Sequence, residues 1–185
     1  FAENNAEVTL SLIRAVTEAC AWLDDPGNRR EAAQILSRPD YVGLPQETLS
    51  CALEDKLVRG GGLASQHCRD IVIFSRGGAN FPWVSHAIWL LTQMIRWGQV
   101  RAPFDVGDIA RRVYRPDLFR SALRPLGIHT PDSDIKPEGG GMFFGSETFN
   151  PEDPVTYIDR FALRDTRIDL SLYGPQSKGS VAGKL

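Results

Sequence analysis

Three histidines and three cysteines carry most of the reactive chemistry open to this chain: His67, His86 and His129, with Cys20, Cys51 and Cys68. Cys68 directly follows His67, the pairing from which a thiolate nucleophile arises when an imidazole takes its proton. Neighbours in an extended segment point to opposite faces, however, and a nucleophile and its base are normally brought together by the fold. A zinc centre built from His67, Cys68, His86 and His129 lacks any paired ligand spacing. Gly60-Gly61-Gly62 is not followed by Gly-Lys-Ser/Thr, so it is no phosphate loop. Glu152 and Asp153 stand before a helix start and read as caps. No catalytic set, metal site or cofactor is therefore expected. One position has a physical case for a ligand. Ser85 and His86 fall in the first turn of a helix, where free backbone N–H groups and the positive dipole end favour a small anion. Asn80 or a neighbouring loop capping the same groups is the simpler reading.

The helix that would position Ser85 and His86 lies in the stretch Asn80–Gln99, which holds three of the four tryptophans. Pro82 suits a first-turn position and Gly98 a left-handed stop. Val84, Ile88, Leu91 and Ile95 repeat at helical spacing, with Trp89 and Trp97 on a neighbouring stripe. Such a helix is apolar on most of its circumference and is expected to be buried, with Trp89, Trp97 and Leu91 packing the core.

At 185 residues and 42% hydrophobic, the chain has the means for a real core and amounts to one domain or part of one. A net charge of −2 gives no electrostatic case for direct nucleic-acid binding or an anionic membrane. No apolar run approaches bilayer length. The odd, widely spaced cysteines argue against a disulfide framework and favour a reducing compartment. The chain opens at Phe1 on helical sequence with no signal segment in view, and a preceding portion is expected.

Along the chain, a first helix is expected over about 6–23, with Val8, Leu12, Ala15, Val16, Ala19, Cys20 and Leu23 inward and Asp24-Asp25-Pro26-Gly27 ending it. A second starts at Asn28 with Glu31 in capping-box position and Ala32, Ala33, Ile35 and Leu36 inward. A third opens at Pro45 and carries Leu49, Ala52 and Leu53. Asp70–Phe74 reads as a short strand or extended segment. Asp105 and Asp108 open a helix through Val106, Ile109 and Val113, and Pro116 restarts another that ends near Gly127. Residues 128–152 read as a surface strap pinned by Met142, Phe143, Phe144 and Phe149, followed by a last helix over about 154–161. The expected organisation is 1–127 helical, 128–164 strap and last helix, and 165–185 flexible tail.

Several stretches go beyond period and caps. Ala21-Trp22-Leu23-Asp24-Asp25-Pro26-Gly27-Asn28-Arg29-Arg30-Glu31-Ala32-Ala33, continued by Tyr41-Val42-Gly43, resembles a segment of the nitrate- and bicarbonate-binding proteins of bacterial ABC importers. Asn80-Phe81-Pro82-Trp83, with Ser85-His86, Trp89, Leu91–Met94 and Arg96-Trp97-Gly98, is similar to the same family's signature helix. Arg115–Phe119 and Phe149–Pro154 are similar to its later motifs, so the resemblance runs in order over roughly 1–162. It implies an α/β, two-lobed periplasmic-binding-protein-like (type II) fold, this chain being its mainly α-helical C-terminal portion, with 1–127 the helical part of the second lobe. It implies a non-catalytic binder of a small oxyanion, nitrate or nitrite more than bicarbonate, whose ligand contacts lie in segments preceding Phe1.

The family has two branches. One is an importer component, periplasmic or membrane-anchored, whose partner is an ABC permease. The other is a cytoplasmic nitrate sensor that restrains an RNA-binding antiterminator. Phe81-Pro82-Trp83, Gln99 and Lys136-Pro137-Glu138-Gly139 look more like the sensor. A rival on the same architecture is an enzyme of the thiamine-precursor-synthesis type, for which only His67 and Cys68 are on offer.

Overall fold

The computed structural model describes residues 1–68, 71–100, 104–139 and 147–162. The chain divides into two compact units, Phe1–Phe81 with Ser121–Thr130, and Pro82–Arg120 with Pro131–Leu185. Among the described residues it is mostly helical, with two short antiparallel strand pairs. No helix among them is long and apolar enough to cross a membrane.

In the first unit, α1 (Ala6–Asp24) leads through a 3-10 turn, Pro26–Asn28, into α2 (Arg29–Leu36). Then come α3 (Gln46–Leu53) and a hairpin of β1 (Lys56–Leu57) and β2 (Gln66–His67), in which Lys56 faces His67. Ala32 and Ala33 of α2 are buried as expected. Asn28 is the N-cap of α2, but its side chain makes no capping bond there; the 3-10 turn before it replaces the expected capping box. Asp70 lies outside the described residues, and residues 71–74 form no strand. The strands form instead on either side of the triple glycine, whose three positive φ angles turn the chain back. The face of α1 read as its core side is largely exposed: Val8 is 57% and Leu12 59% accessible. Thr17 is the buried residue of α1, and Arg14 on the same side donates from Nε to the Ala122 carbonyl at 2.9 Å.

In the second unit, α4 (Val84–Arg96) packs with α5 (Val106–Val113), α7 (Pro154–Asp159) and Phe149 of β4 (Thr148–Phe149), which pairs with β3 (Glu138–Gly139). Val84, Ile88 and Ile95 are buried on the expected face, with Val106, Ala110, Phe149, Tyr157 and Ile158 completing the cluster. Phe149 and Phe161 each meet Tyr157 edge-on at 5.0 Å. The Asp105 side chain caps α5 by accepting from the Asp108 N–H at 2.9 Å, as its sequence position suggested. The helix runs through Val106, Ile109 and Val113 as expected, with Val113 exposed. The expected strap anchors Met142, Phe143 and Phe144, and the expected tail 165–185, lie outside the described residues. The boundary between the two units falls within α6 (Pro116–Leu123), which is followed by a 3-10 turn and the left-handed Gly127.

Two readings of α4 need correction. It begins at Val84, so Pro82 precedes the Trp83 N-cap instead of sitting in the first turn. Its apolar circumference is not buried throughout: Leu90, Met94 and Trp97 are exposed, Trp97, expected in the core, at 53%. The stop at Gly98 is as read. The Gln99 N–H reaches the Met94 carbonyl and the Gly98 N–H the Ile95 carbonyl, both at 2.9 Å, with Gly98 at φ 66°. That is the six-to-one and five-to-two pair of a Schellman ending. A Cβ at this φ is strained, so Gly98→Ala is expected to cost about 1–2 kcal/mol in a denaturant titration; an unchanged midpoint would show that the ending relaxes freely.

Candidate functional site

Ser85 and His86 do sit in the first turn of α4, but the chain itself supplies their partners. The Val84 N–H, the first free donor of the helix, is taken by the Asp134 carbonyl at 2.9 Å, so a loop and not Asn80 caps it. Ser85 is fully buried and donates its hydroxyl to Glu138 Oε1 at 3.0 Å. His86 Nε2 lies 3.0 Å from the same oxygen, and Lys136 Nζ lies 3.1 Å from Glu138 Oε2. The Lys136 N–H donates back to Ser85 Oγ at 3.4 Å, and its ammonium stands 5.0 Å from the centre of the Trp83 ring. Further along the strap, Arg120 holds Asp134 at 2.6 Å and the Pro131 carbonyl at 2.7 Å.

This arrangement places one carboxylate among a hydroxyl, an imidazole, an ammonium and a helix N-terminus. Each of these favours negative charge, and Glu138 provides it. The same bonding disfavours nucleophilic use of Ser85. Its proton is directed to a carboxylate, and His86 spends Nε2 on that carboxylate. Lys136 and Glu138 are the residues that sequence reasoning missed as site members. They lie fifty residues or more away along the chain, and no local pattern joins them to α4.

Among the described residues no three His, Cys, Asp or Glu side chains converge as metal ligands. Cys20, Cys51 and Cys68 are in no disulfide and are partly buried.

A second polar centre explains the Trp22–Arg29 stretch. Asn28 Nδ2 donates to the Trp22 carbonyl at 2.9 Å, and Arg29 Nε to the Leu23 carbonyl at 3.3 Å, so both serve carbonyls near the end of α1. The Arg29 Nη1 also reaches the Leu53 carbonyl at the end of α3, at 2.8 Å, and Asp55 Oδ2 at 2.9 Å. Asp25 Oδ1 caps the 3-10 turn through the Gly27 N–H at 2.9 Å. Asp24 accepts from three successive N–H groups, Phe74, Ser75 and Arg76, at 2.9, 2.8 and 2.7 Å. Every polar side chain from Asp24 to Arg29 therefore fastens backbone.

Burial alone would raise the Asp24 carboxyl, but those N–H groups and the Arg76 charge hold it below the usual carboxylate range. A lowered acid stabilises the fold above its unfolded pKa of about 3.9 and loses that contribution as pH falls through the lower folded value. Asp24→Ala is expected to speed amide exchange at Phe74, Ser75 and Arg76, with a stability deficit constant above about pH 5 that shrinks on further acidification. Equal exchange at those amides in both proteins would refute the fastening role.

No protein-family model matches the chain. It is 34% identical over 161 residues to the nitrate/nitrite binding protein NrtA of Synechococcus elongatus, covering 86% of this chain and 36% of that protein. It is 36% identical over 160 residues to the nitrate import ATP-binding protein NrtC of Synechocystis, covering 86% of this chain and 23% of that protein. Bicarbonate-named relatives match too, at 29% identity for the binding protein CmpA of Synechococcus elongatus. The crystal structure of the periplasmic nitrate-binding protein NrtA from Synechocystis superposes with a TM-score of 0.80 at 32% identity, over 88% of this chain and 42% of that one. The chain thus spans less than half the length of the relatives it matches. It is homologous to part of the nitrate/nitrite-binding and bicarbonate-transport proteins, as its motifs implied, and shares the fold of the matching part of a periplasmic binding protein.

Proposed function

We propose, from this homology, that the chain is a non-catalytic segment of a binding protein for a small oxyanion, nitrate or nitrite. The observation that carries the reading is the match to nitrate-binding NrtA at once in sequence and in fold. The segment's work is scaffolding: residues 1–127 form the helical part of one lobe, 128–164 a strap and last helix, and 165–185 a tail. The polar letters that mark the resemblance support this division of labour. Asp24, Asn28 and Arg29 bind backbone, and Ser85 and His86 bind Glu138, so the ligand contacts belong to other segments of a two-lobed receptor that closes over its anion.

The Lys136–Gly139 strap and the Phe81-Pro82-Trp83 form favour a cytoplasmic sensor partnered with an RNA-binding antiterminator. The alternative is an importer component partnered with a permease. The thiamine-precursor-type enzyme gains nothing from the comparisons, whose relatives are named for binding and transport of nitrate or bicarbonate. Joined to the companion portion of Synechocystis NrtA, this chain is expected to melt higher in nitrate, by about 2.7 kcal/mol of stabilisation at a hundredfold excess over Kd, with bicarbonate silent. A response to bicarbonate alone would reassign the anion, and turnover on incubation with pyridoxal phosphate would favour the enzyme.

A further inference from the structure

The side of α1 turned away from Thr17 carries Val8, Leu12, Ala15, Ala19 and Trp22, spaced four, three, four and three. This is an unbroken heptad seam, and all five residues are exposed, Val8 and Leu12 to more than half. At 1.5 Å per residue it runs for about 20 Å, the length of a helix-to-helix contact of four turns. The helix already uses its other side, where Thr17 is buried and Arg14 bonds the Ala122 carbonyl, so the seam is not a surface left over from a misturned helix.

We propose that this seam is an internal joint, covered in the assembled protein by an apolar-faced helix of the companion portion that its binding-protein relatives carry beside the matched segment. The inference rests on the reading of the chain as such a segment. Two observations select this occupant over a second copy. The solved NrtA chain has more than half its length outside the match, so there is polypeptide to do the covering. The middle of the seam is Ala15 and Ala19, and a parallel, in-register pair of copies would set alanine layers on alanine and leave the centre underfilled. A partner with larger side chains at those layers fills it.

The test compares the 185-residue chain with a chimera in which it replaces the matching segment of Synechocystis NrtA. Both carry Cys20→Ala, Cys51→Ala and Cys68→Ala, with Leu12→Cys as the reporter and Glu3→Cys as an off-seam control. Maleimide labelling of the reporter is expected to be slower in the chimera by a factor on the order of ten or more, the control labelling equally in both. Equal reporter rates in a folded chimera would overturn the joint. In the isolated chain, Leu12→Glu is expected to leave mass and melting unchanged. A dimer that this substitution dissolves, or a melting temperature that it lowers, would assign the seam to a second copy or to the chain itself and overturn the proposal. Nitrate binding by the chimera reads the functional proposal separately. A chimera that protects the reporter yet ignores nitrate would keep the joint and remove nitrate as the ligand.

Discussion

Arg29→Met is expected to lower the stability of the chain by about 3–5 kcal/mol, the cost of leaving one half of a buried ion pair alone. Arg29 is only 2% exposed, and its guanidinium meets the Leu23 and Leu53 carbonyls and the Asp55 carboxylate together. Methionine fills much of the volume but returns none of those bonds. Two helix ends then lose a donor, and Asp55, whose second carboxylate oxygen is already without a partner, holds its charge out of water. Thermal unfolding is expected to shift down on the order of 10 °C, at about 2–4 °C per kcal/mol for a chain of this size. Arg29→Lys is expected to recover little, because one ammonium cannot span the same fork. Adding Asp55→Asn to Arg29→Met should restore part of the loss, since the stranded charge goes with it. A fall under about 3 °C for Arg29→Met would show that the pair is solvated enough to dispense with.

The second large effect separates two aromatic residues. Phe149→Ala is expected to cost about 3–5 kcal/mol, because Phe149 is buried to 1% against α4, α5 and α7 and supports the edge of Tyr157. Trp97→Ala is expected to cost under about 1 kcal/mol despite removing the larger ring. Its indole is half in water, and its described contact is the Arg96 guanidinium at 4.7 Å, which also stacks at 3.8 Å on Phe161. Chemical denaturation of both variants measures the order; a costlier Trp97→Ala would place that indole back in the core.

The helix boundaries were legible because caps are local. Asp105 ahead of Asp108, Gly98 after Trp97 and Gly127 after Leu126 each announce an end through a few adjacent letters. Periodicity was less informative, since it finds an apolar stripe without saying what covers it. On α1 it selected the side from Val8 to Leu23, of which Cys20 and Leu23 are partly buried and the rest exposed, while the chain buries Thr17. The β-branched run Ile71-Val72-Ile73 reads as a strand or an extended segment, and it forms no strand because a strand needs a partner. Here the N–H groups that follow it go to Asp24 instead. The site was half visible. Ser85 and His86 could be placed in a first turn by eye, but Glu138 lies 53 residues beyond Ser85, and that contact exists only once the strap has folded back.

Glu138 also bears on how the start of α4 meets dissolved salt. Chloride, phosphate and nitrate are all drawn to a helix start, and an unguarded one would respond to whichever was most abundant. With a tethered carboxylate already seated beside Ser85, a visiting anion would have to displace a charge held at the effective concentration of its own chain. The start of α4 is therefore insulated from ordinary salt by a charge of the chain's own.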